Sequence, residues 1–87
     1  MYKLLLVTDQ PDIQEYFLHD IDWSSYNCHP PRVFSSVDEA IAYINASPLD
    51  AVGYYLGKRG AITLGRYLAN ERPSLPVFAV SRKRAIQ

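Results

Sequence analysis

Eighty-seven residues, 48% of them apolar, with nine Lys/Arg against nine Asp/Glu and one cysteine, describe a single small domain with no room for two independent cores. The longest apolar run, Leu4 to Val7, is far below the ~20 residues of a membrane span, and Lys3 alone is not the charged start of a signal peptide, so a cytoplasmic protein is expected. Cys28 has no second thiol for an internal disulfide or a multi-thiolate metal site, which leaves apolar packing to carry the fold.

In chain order, Leu4-Leu5-Leu6-Val7 has the unbroken apolar pattern of a strand buried on both faces of a parallel sheet. Asp9-Gln10-Pro11 supplies a helix cap and a first-turn proline, and Ile13, Tyr16, Phe17 and Ile21 then recur at helical spacing. Asp22 to Pro31 reads as a loop, and Arg32-Val33-Phe34 as a short edge strand. Ser36-Val37-Asp38-Glu39 is a capping box, which predicts a helix with Val37, Ala40, Ile41 and Ile44 inward and a stop at Asn45-Ala46-Ser47-Pro48. Asp50 to Tyr55 follows as a strand. Gly57-Lys58-Arg59-Gly60 reads as a loop before a third helix carrying Ile62, Leu64, Leu68 and Ala69. Gly65 lies inside that helix at a cost of about 1 kcal/mol relative to alanine, which a close helix-to-sheet contact would offset. Pro73 ends the helix, Leu75 to Val80 is a fourth strand, and Ser81 to Gln87 is a basic segment.

The order β-α-β-α-β-α-β with short connections predicts right-handed crossovers and a parallel sheet. Ligands of such sheets sit beyond the carboxyl ends of the strands, here Thr8-Asp9-Gln10, Tyr55-Leu56-Gly57 and Ser81-Arg82. Charge is polarised along the chain. Met1 to Asp50 has two basic residues (Lys3, Arg32) against eight acidic ones (Asp9, Asp12, Glu15, Asp20, Asp22, Asp38, Glu39, Asp50), a net of −6. From Ala51 onward seven basic residues (Lys58, Arg59, Arg66, Arg72, Arg82, Lys83, Arg84) face only Glu71, a net of +6. Two readings stand: opposite poles that steer a complementary surface, or halves that pair internally and solvate themselves.

Five segments carry a family resemblance: Tyr2-Lys3-Leu4-Leu5-Leu6-Val7-Thr8-Asp9-Gln10-Pro11, Ile21-Asp22-Trp23-Ser24-Ser25-Tyr26, Asp38-Glu39-Ala40, Leu49-Asp50-Ala51-Val52 and Pro73-Ser74-Leu75-Pro76-Val77. Together they resemble the receiver (CheY-like) domain of bacterial response regulators, most closely receivers that precede AraC-type DNA-binding domains; the Ile-Asp-Trp with its following tyrosine is the most specific of them. The resemblance implies a three-layer flavodoxin/CheY-like fold with parallel strands in the order 2-1-3-4. It also implies that residues 1–87 form one receiver-like domain, the N-terminal part of a longer regulator, with the last βα unit missing and the fourth strand an edge open to self-association.

The same resemblance implies a degenerate phosphorylation site. A receiver takes phosphate from a histidine kinase onto an aspartate ending its third strand, with Mg²⁺ held by that aspartate and an acidic pair ending the first. Here the former acidic pocket is Thr8, Asp9 and Gln10, and the phosphoacceptor position falls on Tyr55, preceded by Tyr54. A phenol is a poor Mg²⁺ ligand and cannot form an acyl phosphate. Lys58 and Arg59 carry positive charge toward the cation's place, and Ser81 matches the switch hydroxyl, or else simply caps a turn.

Other constellations are weaker. Asp9 could ligate a metal, although a lone carboxylate at such a turn is more often a helix cap. His19, Cys28 and His29 lack zinc spacing and a catalytic base arrangement. Tyr2, Tyr16, Tyr54, Tyr55 and Phe78 could stack bases or a flavin, but no glycine-rich phosphate cradle accompanies them, and tyrosines filling a former active site is the preferred reading. Arg82-Lys83-Arg84 reads as a solvated helix start rather than a nucleic-acid contact. The expectation is a non-enzymatic, non-phosphorylatable regulatory module of a two-component-type signalling or transcription regulator. It needs no cofactor or Mg²⁺ and works through a homodimer, an attached DNA-binding output domain or a histidine-kinase-type partner. The alternative is a flavodoxin-like domain that binds a ligand or nucleotide at the strand ends.

Overall fold

Leu4–Thr8 (β1) is the central strand, with Leu5, Leu6, Val7 and Thr8 all fully buried. A computed structural model describes residues 1–80 of the chain. The remaining elements are α1 (Pro11–Glu15), continued by a π-helical turn over Tyr16–Asp20, a 3₁₀ turn over Trp23–Tyr26, β2 (Arg32–Phe34), α2 (Val37–Ala46), β3 (Ala51–Tyr55), α3 (Lys58–Glu71) and β4 (Val77–Ala79). The strands form one all-parallel sheet in the order β2-β1-β3-β4. That order and the alternation of strand and helix make this an α/β fold of flavodoxin-like type. Among the described residues no helix is long and apolar enough to cross a membrane.

The pleat of β1 divides the core between the sheet's two faces. Leu5 and Val7 pack with Val52, Ala40, Ile44, Leu64 and Leu68 beneath α2 and α3, whereas Leu6 packs with Ile13 of α1 and Val80. Three layers result. At the amino ends of β1 and β3, the Lys3 amide donates to the Asp50 carboxylate at 2.7 Å and the Asp50 amide donates to the Lys3 carbonyl at 2.8 Å, which aligns the two strands at their start. On the helical side, Arg72 Nη1 donates to the Ile44 carbonyl at 2.9 Å and the Tyr67 hydroxyl donates to Asn45, tying the end of α3 to α2.

Several local expectations need correction. The first helix does not run regularly to Ile21: its α-helical part ends at Glu15, and the wider π turn leaves Tyr16 48% exposed while Phe17 remains half-buried. Trp23 stabilises this departure. Its ring stacks on Phe17 with centroids 5.8 Å apart, and its Nε1 donates to the Phe17 carbonyl at 2.5 Å. The presumed loop therefore contains an ordered 3₁₀ turn closed by Asn27 in the left-handed conformation (φ 61°), and beyond it Cys28 bridges to Tyr2.

Lys58, Arg59 and Gly60 are the first turn of α3 rather than a loop, because Gly57 takes the extended cap conformation and the Ala61 amide already donates to the Gly57 carbonyl at 2.9 Å. The inward stripe of α3 is also narrower than expected. Leu64 and Leu68 are buried, but Ile62 is 44% exposed and Ala69 faces solvent, because a two-residue step turns a helix by about 200° and carries Ile62 off the Leu64 face. Gly65 does make the close approach to the sheet: a Cβ there would lie 3.0 Å from the Tyr54 hydroxyl. The Ser36 cap is formed, its hydroxyl accepting from the Glu39 amide at 3.4 Å.

Candidate functional site

The chain order 2-1-3-4 reverses direction between β1 and β3, and the crevice beyond their carboxyl ends is where sheets of this kind place a ligand. Thr8 and Tyr55 are direct partners in the parallel register there. The fold thus brings the Thr8-Asp9-Gln10 turn beside Tyr55-Leu56-Gly57. Ser81 lies outside the described residues, as do Arg82, Lys83 and Arg84.

Within the turn, polar groups are spent on one another. Thr8 is fully buried, and its Oγ1 accepts from the Gln10 amide at 3.2 Å while its carbonyl accepts from Gln14 Nε2 at 2.7 Å. Asp9 faces solvent and accepts from Gln10 Nε2 at 3.0 Å. It does not cap α1. The cap position is Gln10, whose side chain makes no capping bond; Pro11 has no amide to satisfy, and the Ile13 and Gln14 amides both reach the Gln10 carbonyl at 3.1 Å. One carboxylate, outward-facing, is what this turn offers a cation. Among the described residues no group of three or more His, Cys, Asp or Glu is placed to hold a metal ion.

Tyr55 is half-buried and packs against the Leu6, Ile13 and Val80 cluster on the α1 face. Tyr54, one residue earlier, points to the opposite face and packs against the α2 and α3 core. The five aromatics considered as a platform or plug are therefore not one group: the pleat separates Tyr54 from Tyr55 and Phe78, and Tyr2 and Tyr16 are 54% and 48% exposed. Grooves occur elsewhere. One of about 490 Å³ lies between Leu49-Asp50 and Glu71 to Pro76, at the amino ends of β3 and β4 and so at the wrong end of the sheet for a strand-end ligand.

Sequence reasoning passed over Gly53. It is buried in β3 beside Phe78 of β4, its register partner, and a Cβ there would come within 2.1 Å of the edge of the Phe78 ring. A lone glycine inside a strand pattern is itself the signal of such a close approach.

The carboxyl end of β3 runs directly into α3 through Gly57, which makes no side-chain cap, and places Lys58 and Arg59 in the first turn. Two cations at a helix amino end oppose the macrodipole. Gly57 has φ −61° and open space where a Cβ would stand. Gly57→Asp is therefore expected to add a cap and a compensating charge, stabilising the domain by about 0.5–1 kcal/mol. Thermal unfolding should show a Tm rise of about 3–6 °C that shrinks with added salt.

In comparison with known proteins, no family model, curated protein or solved structure matches this chain.

Proposed function

We propose that this domain is a receiver-like regulatory module of a two-component-type signalling or transcription regulator that does not accept phosphate and acts through protein–protein contacts. One observation carries the reading. At the crevice between β1 and β3, where the resemblance puts a phosphoacceptor and an acidic pair, the pair of register partners is a buried threonine and a tyrosine, and the threonine's hydroxyl is already bonded to the Gln10 amide.

Phosphoryl transfer to a receiver relies on a carboxylate nucleophile and a cation that offsets the charge of the transferring group. Tyr55 supplies no carboxylate, Asp9 points outward, and Lys58 and Arg59 open α3 three and four residues beyond Tyr55. A module of this kind holds one conformation and regulates by what it contacts, such as an attached DNA-binding output domain in the cytoplasm or a second copy. It performs no catalysis of its own.

Incubation with Mg²⁺ and acetyl phosphate, read by intact mass, is expected to leave the mass unchanged. Stoichiometric gain of a phosphoryl group sinks the proposal. A flavin or nucleotide that co-purifies and shifts the Thr8, Asp9 and Tyr55 amides would replace it with a ligand-binding function at the same crevice.

A further inference from the structure

The fold sets the cations of α3 and the acids of α1 on opposite sides of the sheet, while Asp38 and Glu39 of α2 lie on the α3 side. Arg59, Ile62 and Arg66 follow one another at helical spacing along the solvent side of α3, all exposed, with Lys58 beside them. No acidic residue interrupts α3 before Glu71, and among the described residues none of these cations is in an ion pair. On the other side of the sheet, α1 and its π turn present Glu15 and Asp20 beside Tyr16, which is 48% exposed. Among the described residues, Glu15 also meets His19 at 3.6 Å, an exposed contact one turn along the same helix.

Each surface sets one exposed apolar side chain beside charged ones, and the charges of the two are opposite in sign. They cannot meet within one molecule. α1 packs on the Leu6 side of the sheet and α3 on the Leu5 and Val7 side, so the four-stranded sheet stands between them. Arg59 and Arg66 therefore do not pair with Glu15 or Asp20 within one molecule. Two copies can satisfy both, and a chain whose formal net charge is zero has no overall repulsion opposing their approach.

We propose that the basic face of α3 (Arg59, Ile62, Arg66) docks on the acidic face of α1 and its π turn (Glu15, Tyr16, Asp20) in a second copy of this chain. The contact is head to tail, so a pair retains one free face of each kind, and association continues into a ring or an open chain. One exposed helix face on each side makes an interface at the small end, below about 1,200 Å² in total, which belongs to weak and salt-sensitive complexes. The inference stands apart from the phosphate question, since neither face includes Thr8, Asp9, Gln10 or Tyr55.

Sedimentation velocity on the full chain tests it. At about 0.05 M NaCl the mean mass should rise above the monomer as protein concentration increases, and at about 0.5 M NaCl the association should weaken about tenfold or more. Two double variants, Arg59→Glu with Arg66→Glu and Glu15→Lys with Asp20→Lys, should each be monomeric at low salt with unchanged far-UV circular dichroism. Mixed in equal amounts they should associate again, because the native α3 face of one meets the native α1 face of the other and the two reversed faces are likewise opposite in charge. A monomer at every salt and concentration overturns the proposal. So does association that survives high salt or persists in both double variants, which would point to an apolar contact such as the β4 edge. So does a monomer whose α3 face instead binds a nucleic-acid oligonucleotide.

Discussion

Gly53→Ala is expected to cost about 2–3 kcal/mol, and Gly53→Val to abolish folding, because the added carbon would occupy space held by the Phe78 ring. The two residues are register partners on adjacent parallel strands, so neither backbone can retreat without giving up the β3–β4 ladder. The ring would have to swing outward, uncovering the Leu6, Ile13 and Val80 cluster that it packs against. For a domain this small, with roughly 5 kcal/mol of total stability, that is a large share. Urea denaturation of Gly53→Ala, Phe78→Leu and the double variant checks it. The double variant should be less destabilised than the sum of the singles by about 1 kcal/mol or more, whereas additivity would show that the ring is not the obstacle.

Trp23→Ala is expected to cost about 2–3 kcal/mol, through lost ring packing on Phe17 and loss of the indole's bond to the Phe17 carbonyl. A π turn shifts the hydrogen-bond ladder of a helix and leaves carbonyls without regular partners, and the Phe17 carbonyl finds its partner in Trp23. Trp23→Phe keeps the stacking and loses the donor, so its cost should be near 1 kcal/mol. As this is the chain's one tryptophan, the unfolding must be followed by far-UV circular dichroism. Equal losses for the two variants would mean that packing contributes nothing and the hydrogen bond everything. The Ile21-Asp22-Trp23 segment, the most specific part of the receiver resemblance, thus has a structural role in closing the first helix, separate from any signalling role.

The sheet was legible because its signals are strong and local. Leu4 to Val7 has the pattern of a doubly covered strand, and Ser36 and Glu39 mark a helix start; the fourth strand, expected over Leu75 to Val80, is shorter, Val77–Ala79, because Pro76 has no amide for the ladder. The strand order followed from the resemblance. What was not legible depends on contacts made across the fold. The π turn exists because Trp23 and Phe17 meet, and Gly53 matters because Phe78 lies against it, neither of which periodicity reports. Lys58 to Gly60 read as a loop because two glycines flank two charges, yet Gly57 in an extended conformation is an adequate helix start. The candidate site shows the same split. That Thr8 and Tyr55 would be neighbours was implied by their places at two strand ends; that Thr8 would be fully buried and bonded to the Gln10 amide, with Asp9 turned outward, depends on the geometry of the turn.

The central claim is that the crevice between β1 and β3 has lost the ability to hold a cation and a phosphoryl group. Beryllofluoride with Mg²⁺ mimics both together, and a two-dimensional amide NMR titration reads the crevice residue by residue. The account predicts no saturable shift at Asp9, Gln10, Tyr55 or Ser81 as the mimic is added. Saturating shifts at Asp9 and Tyr55 that require both Mg²⁺ and beryllofluoride would contradict it.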